Sequence, residues 1–320
     1  MKAIRIHEDG GPEVLRYEDV PDPEPRKGEV LVELRAASLN HLDVWIRKGR
    51  PSVPKPRILG ADGAGVIAET GERVVINPGI MTNGKMHIVG ETMDGTHAEL
   101  IAIPRDYLHP IPGDLSFEEA AAFPLTFETA YRMLVPRAQL QEGEWVLIWG
   151  IGGGVATAAL SLAKALGAQV IVTSSSDAKL EHARALGADV GFNHDTDDVV
   201  AAVKDVTGGG AHVVVESVGE ATWKRTLDAV RAEGRIVVCG ATSGPNPPAA
   251  LHRVWWKQLS ILGSSMGSPE DFQAVWDLID AGKARPVVDK VFPLAEAGAA
   301  HERLEAGEQL GKIVLAISSG

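Results

Sequence analysis

The stretch Trp145-Val-Leu-Ile-Trp-Gly150-Ile-Gly-Gly-Gly-Val-Ala156 decides the fold of this 320-residue chain. It joins a short apolar run to a glycine cluster and then to a helical pattern that Gly167 closes. Glycines let the main chain approach a pyrophosphate closely, and the start of a helix presents free N–H groups to it. The sequence therefore predicts a dinucleotide-binding loop, with contacts from Gly150, Gly152, Gly153, Gly154 and Val155.

The surrounding pattern supports this interpretation of the glycine cluster. Ala156 stands at the third position of the usual fingerprint, and either Gly150 or Ile151 fills the first. A structural glycine turn is the alternative, because an isolated fingerprint is a weak signal. Apolar runs at 145–149, 170–173, 213–216, 236–239 and 260–262 alternate with helical patterns at 155–166, 178–186, 199–206 and 221–231. This alternation predicts an α/β fold with a Rossmann-type, doubly wound parallel sheet.

The end of the second predicted strand bears on the choice between NADP and NAD. A carboxylate there usually accepts a hydrogen bond from the ribose 2′-hydroxyl of NAD, and its absence suggests NADP. Ser174 holds that position, Ser175 follows it, and Lys179 adds a positive charge that suits a phosphate. We therefore expect NADPH. NADH stays possible because Asp177 is near, although we expect Asp177 to cap the next helix.

The two ends of the chain differ from its middle. The first third predicts short strands at 2–7, 29–36, 63–69, 73–77 and 96–103, separated by Gly and Pro, as in a barrel or folded-over sheet. Ser116 and Glu119 form a capping-box pattern that predicts a helix. Residues 269–317 predict a helix, a strand, a second helix and a last strand, so we expect this tail to return to the first domain.

Composition excludes several classes of protein. A net charge of −12 argues against binding to a phosphate backbone. Cys239 is the single cysteine, so neither an internal disulfide nor a multi-cysteine zinc site can form. The first residues carry charges where a signal peptide is apolar, and no run approaches the roughly 20 apolar residues of a membrane span. We expect a cytoplasmic protein with neither a nucleic-acid nor a membrane partner.

Six motifs in order along the chain carry a family resemblance: KAIRIHEDGGPEVL (2–15), RAASLNHLDVWIRKG (35–49), ILGADGAGVI (58–67), DGTHAELIAIP (94–104), QLSILGS (258–264) and GKIVL (311–315). With the glycine loop, they make the chain resemble the medium-chain dehydrogenase/reductase superfamily, in its zinc-free, quinone-oxidoreductase-like branch. The resemblance implies a GroES-like β-rich catalytic domain of residues 1–122 and 266–320. It also implies a Rossmann dinucleotide-binding domain of residues 123–265 and an active site in the cleft between them.

The same resemblance shows where this chain differs from the zinc-bearing members of the superfamily. The place of their first catalytic zinc ligand is held by Asn40, the second by Ala61 and the third lies near Leu125. Catalytic zinc needs about three N, S or carboxylate ligands, which these residues do not supply. The cysteine lobe of the structural zinc is replaced by a short segment at residues 81–87. We therefore expect no metal.

Without a Lewis acid, the resemblance implies NADPH-dependent hydride transfer to a quinone or an α,β-unsaturated carbonyl. The polar residues expected to orient the substrate or donate to its oxygen are Asn40, Asp43, Asp62 and Thr126. Three of them have a structural alternative: Asp43 as a cap, Asp62 as a buried ion-paired carboxylate and Thr126 as a packing residue. On the cofactor side, Gly240 and Ala241 are expected near the nicotinamide amide, and Lys312 near a phosphate.

Partner and alternative functions complete the expectations. In relatives the edge strand at 258–262 pairs across a two-fold axis, which implies a homodimer. A zinc-type alcohol dehydrogenase is the second enzyme hypothesis, and a non-catalytic NADPH-binding protein is the hypothesis from another class, because a fold does not fix a function.

Overall fold

The computed structural model describes residues 1–82 and 84–317, which form two compact units. Unit 1 combines Met1–Thr126 with Ser268–Gly320, and unit 2 is Phe127–Gly267. The sequence placed these boundaries after residue 122 and before residue 266. No helix among the described residues is both long and apolar enough to cross a bilayer.

The described residues contain both strands and helices. The strands are β1 (Lys2–Ile6), β2 (Leu15–Asp19), β3 (Glu29–Ser38), β4 (Arg57–Ile58), β5 (Asp62–Ile67), β6 (Arg73–Ile76), β7 (Gly79–Thr82), β8 (Lys85–Ile88), β9 (Leu100–Pro104), β10 (Leu108–Pro110), β11 (Trp145–Ile148), β12 (Gln169–Ser174), β13 (Val190–Asn193), β14 (Ala211–Glu216), β15 (Val230–Val238), β16 (Ser260–Gly263), β17 (Val288–Pro293) and β18 (Lys312–Ala316). The α-helices are α1 (His41–Arg47), α2 (Phe117–Ala121), α3 (Pro124–Arg132), α4 (Gly154–Ala165), α5 (Asp177–Ala185), α6 (Val199–Thr207), α7 (Glu220–Ala229), α8 (Leu251–Trp256), α9 (Pro269–Asp280) and α10 (Ala297–Glu305).

Unit 2 is built on a parallel sheet with strand order β13-β12-β11-β14-β15-β16. Its central strand β11 carries Val146, Leu147 and Ile148, all with no exposed surface. Continuous apolar strands are what a sheet covered by helices on both faces requires. The predicted Rossmann fold is confirmed.

Unit 1 is built on a seven-stranded sheet with the path β10-β6-β5-β3-β18-β17, to which β9 adds by pairing with β3. The strand β18, from the end of the chain, lies antiparallel to β3 and parallel to β17. Its Ile313, Val314 and Leu315 are at most 1% exposed. The GroES-like, β-rich fold is confirmed, and its sheet joins both ends of the chain.

The predicted strand at 96–103 begins later than expected, at Leu100. Its first residues bond elsewhere: the N–H groups of Thr96 and His97 donate to the carbonyl oxygens of Gly60 and Leu59. The segment before β9 is therefore held beside the start of β5 rather than in the ladder with β3. This displacement brings His97 into the neighbourhood of Asp62.

Candidate functional site

The glycine loop of unit 2 runs from the carboxyl end of β11 into α4. Gly150 has a φ of +65°, which favours glycine, and its N–H donates to the Thr173 hydroxyl at 3.1 Å. Gly153 is the N-cap of α4, with an ordinary φ of −76°. A Cβ at Gly153 would meet nothing within 4 Å. Neither the backbone nor any neighbour requires glycine at this position, and the open space lies beside the free N–H groups of the first helical turn, where a phosphate ligand would fit.

The residues expected to select the 2′-group lie after β12. The Ser174 side chain is 4% exposed, and its hydroxyl accepts the N–H of Ser176 at 3.1 Å. Ser176, not Asp177, is the N-cap of α5, where its hydroxyl accepts the Lys179 N–H. Asp177 instead accepts the amide of Asn193 at 2.8 Å. The expected cap at Asp177 is therefore corrected, and Asn193 is a neighbour that sequence reasoning missed.

A buried carboxylate organises the next two loops of the same sheet edge. Glu216 has no exposed surface and accepts the N–H groups of Val218 at 2.8 Å and Gly219 at 3.0 Å. It also accepts the hydroxyls of Thr222 at 2.9 Å and Thr226 at 2.7 Å. Glu216 was not predicted from the sequence, although its two hydroxyl donors, Thr222 and Thr226, stand four residues apart on one helical face.

The loop that contains Gly240 and Ala241 is tied to this Glu216 loop. The N–H groups of Cys239 and Thr242 donate to the carbonyl oxygens of Glu216 at 3.1 Å and Ser217 at 3.1 Å. Both loops follow the carboxyl ends of adjacent parallel strands, the edge at which such sheets bind nucleotides. Burial raises the pKa of the Cys239 thiol to about 12, so this cysteine stays protonated and unreactive.

Unit 1 contains a buried polar cluster centred on Asp62, which has no exposed surface. Its Oδ2 accepts the Asn40 amide at 2.9 Å, the Ser38 hydroxyl at 3.2 Å and the Lys312 ammonium at 3.0 Å. Its Oδ1 accepts the backbone N–H of Leu125 at 2.9 Å. We call Ser38, Asn40, Asp62 and Lys312, with the Leu125 N–H, the Lys312 cluster.

Asp43 lies beside this cluster as a helix cap. Its carboxylate accepts the N–H groups of Asn40 at 2.7 Å and Gly60 at 2.9 Å, at the start of α1. Burial raises the pKa of Asp43 to about 6, against the lowering effect of those two N–H donors. Both oxygens are engaged by the backbone, so the geometry favours the structural alternative for this residue.

Thr126 directly follows Leu125 and is 4% exposed. Its hydroxyl lies 3.5 Å from the carbonyl oxygen of Phe123, which is long for an O–H···O hydrogen bond. The structure thus brings Asn40, Asp43 and Asp62 together through shared hydrogen bonds, with Thr126 one residue from a donor to Asp62.

Lys312 differs from its sequence-based expectation. Its side chain is 4% exposed, and its ammonium donates to Asn40 Oδ1 at 2.6 Å as well as to Asp62. A buried ammonium that is paired in this way has its charge balanced within unit 1. The structure thus gives Lys312 a place in the polar cluster, and the phosphate contact expected from the sequence stays a prediction.

The three positions at which the resemblance sets zinc ligands meet at this cluster, but their residues do not fit the ion. Asn40 Oδ1 is occupied by the ammonium, Ala61 has no donor atom and Leu125 offers only a backbone N–H to Asp62. Within residues 1–82 and 84–317, no three His, Cys, Asp or Glu side chains are grouped as a metal site. An ammonium beside the carboxylate would also repel a divalent cation.

Two buried histidines pack next to the cluster. His97 and His301 have no exposed surface, and their rings meet edge to face with centroids 6.3 Å apart. Burial lowers the pKa of His97 to about 4 and that of His301 well below its ordinary value. The Arg47 guanidinium lies 3.1 Å from His301 Nδ1 and only donates, so that nitrogen accepts. Both rings are neutral near pH 7.

Comparisons with known proteins cover the whole chain. A family model described as the alcohol dehydrogenase GroES-like domain matches residues 26–113, and one described as zinc-binding dehydrogenase matches residues 154–281. The chain is 35% identical to a quinone oxidoreductase of Pseudomonas aeruginosa, covering 98% of this chain and 99% of that protein. It is 36% identical to a zinc-type alcohol dehydrogenase-like protein of Schizosaccharomyces pombe, covering 98% of each.

Solved structures give the same picture. The crystal structure of an NAD-dependent alcohol dehydrogenase is 41% identical, with a TM-score of 0.95 over 99% of this chain and 100% of that one. A mycobacterial protein complexed with NADPH is 29% identical, with a TM-score of 0.85 over 99% of this chain and 100% of the other.

Proposed function

This chain belongs to the medium-chain dehydrogenase/reductase superfamily, in its quinone-oxidoreductase-like branch, and from that membership we propose an NADPH-dependent reductase of quinones or α,β-unsaturated carbonyls that works without zinc. It is an oxidoreductase. The observation that carries the finer proposal is the Lys312 cluster, which sets an amide, a carboxylate and an ammonium where zinc-bearing relatives keep their metal.

Bound NADPH would supply a hydride, which adds to an acceptor whose oxygen then gains negative charge and later a proton from solvent. The glycine loop would hold the pyrophosphate through the N–H groups at the start of α4, with Gly153 leaving room for it. Asn40 would donate to the substrate oxygen. A quinone or enone spreads the developing charge over several atoms, so hydrogen-bond donors suffice where a simple ketone needs a stronger electrophile.

The preference for NADPH over NADH rests on the polar ending of β12. Ser174, Ser175 and Lys179 offer donors and a positive charge near the expected 2′-phosphate, and a structural neighbour binds NADPH. The NAD-dependent neighbour favours NADH instead. Fluorescence titration decides between them: we expect tighter binding of NADPH, and equal dissociation constants would contradict it.

The test of function is a screen of NADPH and NADH oxidation over quinones, enones and aldehydes, with and without a chelator. We expect quinone or enone reduction that chelation leaves intact. Reduction of aldehydes alone, lost on chelation and restored by zinc, would instead identify a zinc-type alcohol dehydrogenase. Nucleotide binding without turnover on any acceptor would favour the non-catalytic hypothesis.

The glycine loop provides the matched variants for this screen. Gly153→Val places a side chain into the proposed pyrophosphate space, and we expect the dissociation constant of NADPH to rise about 100-fold. Gly298→Val is the control, because a Cβ there meets only the Pro12 carbonyl oxygen, at 3.9 Å, and the residue lies in α10 of unit 1. Unchanged affinity in Gly153→Val would place the nucleotide elsewhere.

We also propose that the protein is a cytoplasmic homodimer that pairs through unit 2. Strand β16 is one of the two edge strands of the parallel sheet, and Ile261 on it is 41% exposed. Helix α8 before it exposes Leu251, Trp255 and Trp256, which are 68%, 63% and 76% exposed. A second copy would cover this edge and these side chains. Sedimentation equilibrium that gives a monomer would refute the dimer.

A further inference from the structure

The hydrogen bonds of the Lys312 cluster fix the orientation of the Asn40 side chain. Its Oδ1 accepts a hydrogen bond from the Lys312 ammonium at 2.6 Å. The atom that faces Asp62 is therefore Nδ2, which donates one N–H to the carboxylate at 2.9 Å. An amide nitrogen carries two N–H groups and an ammonium three. One N–H of Asn40 and one of Lys312 therefore have no recorded acceptor among the described residues.

The ammonium also changes the strength of that amide as a donor. A cation against the carbonyl oxygen of an amide draws electron density from its nitrogen, and linked hydrogen bonds polarise one another, most of all where water is excluded. Asn40 is 6% exposed and Lys312 is 3% exposed, so water screens this interaction little. Asp62 balances the charge that makes burial of the ammonium tolerable.

We propose that Lys312 is a positioning residue, whose buried ammonium holds and polarises the Asn40 amide so that its second N–H donates to the substrate oxygen that gains charge. This inference rests on the proposed function and deepens it. In this role the fixed Lys312 ammonium, acting through the Asn40 amide, stabilises the negative charge that develops on the substrate oxygen. It also replaces the phosphate contact that the sequence suggested for Lys312.

The two roles for Lys312 predict opposite kinetic results. Lys312→Met removes the charge but keeps a similar chain length. If Lys312 acts through Asn40, this substitution should lower kcat at saturating NADPH about 100-fold and leave the dissociation constant of NADPH within about twofold. Such a loss of kcat is in the range measured for the removal of one oxyanion donor. A phosphate contact predicts the reverse, a weaker nucleotide affinity with kcat unchanged, and that result would overturn the proposal.

The single variant leaves the buried Asp62 carboxylate without its countercharge, which destabilises the fold. The double variant D62N/K312M removes both charges together. It should fold and show the same loss of kcat. Lys2→Met is the matched control, because Lys2 forms a 2.7 Å ion pair with Asp19 at the surface of the same unit. We expect its kcat to equal that of the wild type.

A binding measurement decides the electrostatic role even if no acceptor is turned over. In the presence of NADP⁺, 4-nitrophenolate carries a charged oxygen and 4-nitroanisole is its uncharged counterpart. We expect the wild type to prefer the phenolate about 10-fold and D62N/K312M to lose that preference. The inference is refuted if the wild type shows no preference or if the double variant keeps it. Failure of the proposed function would show separately, as the absence of quinone and enone reduction.

Discussion

Asp62 in unit 1 and Glu216 in unit 2 are two carboxylates with no exposed surface that are stabilised in different ways. Asp62 faces the Lys312 ammonium at 3.0 Å. The Glu216 carboxylate accepts from four neutral donors: the N–H groups of Val218 and Gly219 and the hydroxyls of Thr222 and Thr226. Asp62 has one charged partner in addition to its neutral donors, whereas Glu216 is stabilised by neutral donors alone. Neutralising each carboxylate should therefore have unequal effects.

The largest effect is expected from Asp62→Asn, which preserves shape but leaves the ammonium of Lys312 buried without a countercharge. Breaking a buried pair in this way costs about 4 kcal/mol. Urea unfolding at pH 7 measures the loss, and adding Lys312→Met to Asp62→Asn should recover part of it. A loss under about 1 kcal/mol in the single variant would show that the ion pair is not what holds this cluster.

The second effect is a pH dependence of stability that comes from buried groups of unit 1. The pKa of His97 is lowered to about 4, so its contribution to stability is present above its ordinary pKa and is lost as the pH falls towards 4. His301 acts in the same direction. Asp43, whose pKa is raised to about 6, acts in the opposite direction, because its contribution is present at low pH and is lost as the pH rises through 6.

The variant His97→Gln isolates one of these contributions. Between pH 7 and pH 4 it should lose about 3 kcal/mol less free energy of unfolding than the wild type, because the protonation of His97 no longer opposes folding. His182→Gln, at an exposed site on α5, is the control and should follow the wild type. An equal pH dependence of the free energy of unfolding in all three proteins would mean that protonation of His97 does not contribute to the loss of stability at low pH.

The smallest effect is expected from Glu216→Gln. The amide keeps one acceptor oxygen, and its new N–H groups can donate to the hydroxyl oxygens of Thr222 and Thr226, so we expect a loss of about 1 kcal/mol. Urea unfolding beside Asp62→Asn makes the comparison direct. Equal losses in the two variants would remove the distinction between the two carboxylates.

Local patterns were enough to predict the parallel sheet and the glycine loop, whereas Asn40 and Asp62 were expected together only from the family resemblance. The pairing of Lys312 with Asn40 and Asp62 was not predicted, because these partners lie 272 and 250 residues away and no local pattern encodes such a pairing. Glu216 was missed for a related reason, since its burial depends on how α7 packs against β14. The cap at Ser176 was within reach, because serine is as strong a cap as aspartate.

Strand β2 was also missed, and its sequence explains why. Leu15–Asp19 reads Leu-Arg-Tyr-Glu-Asp, in which charge obscures the alternation of a strand. The strand forms by pairing antiparallel to β1, and the side chains of Arg5 and Glu18 meet between the two strands. Pairing with a neighbour, rather than intrinsic preference, decides such a segment.

The insertion of β18 beside β3 sets an order of events during biosynthesis. Asn40 leaves the ribosome 272 residues before Lys312, an interval of about 14 to 54 seconds at roughly 5–20 residues per second. The whole of unit 2 emerges within that interval and is free to fold first. Until β18 is made, the end of β3 lacks its antiparallel partner and Asp62 lacks the countercharge of Lys312.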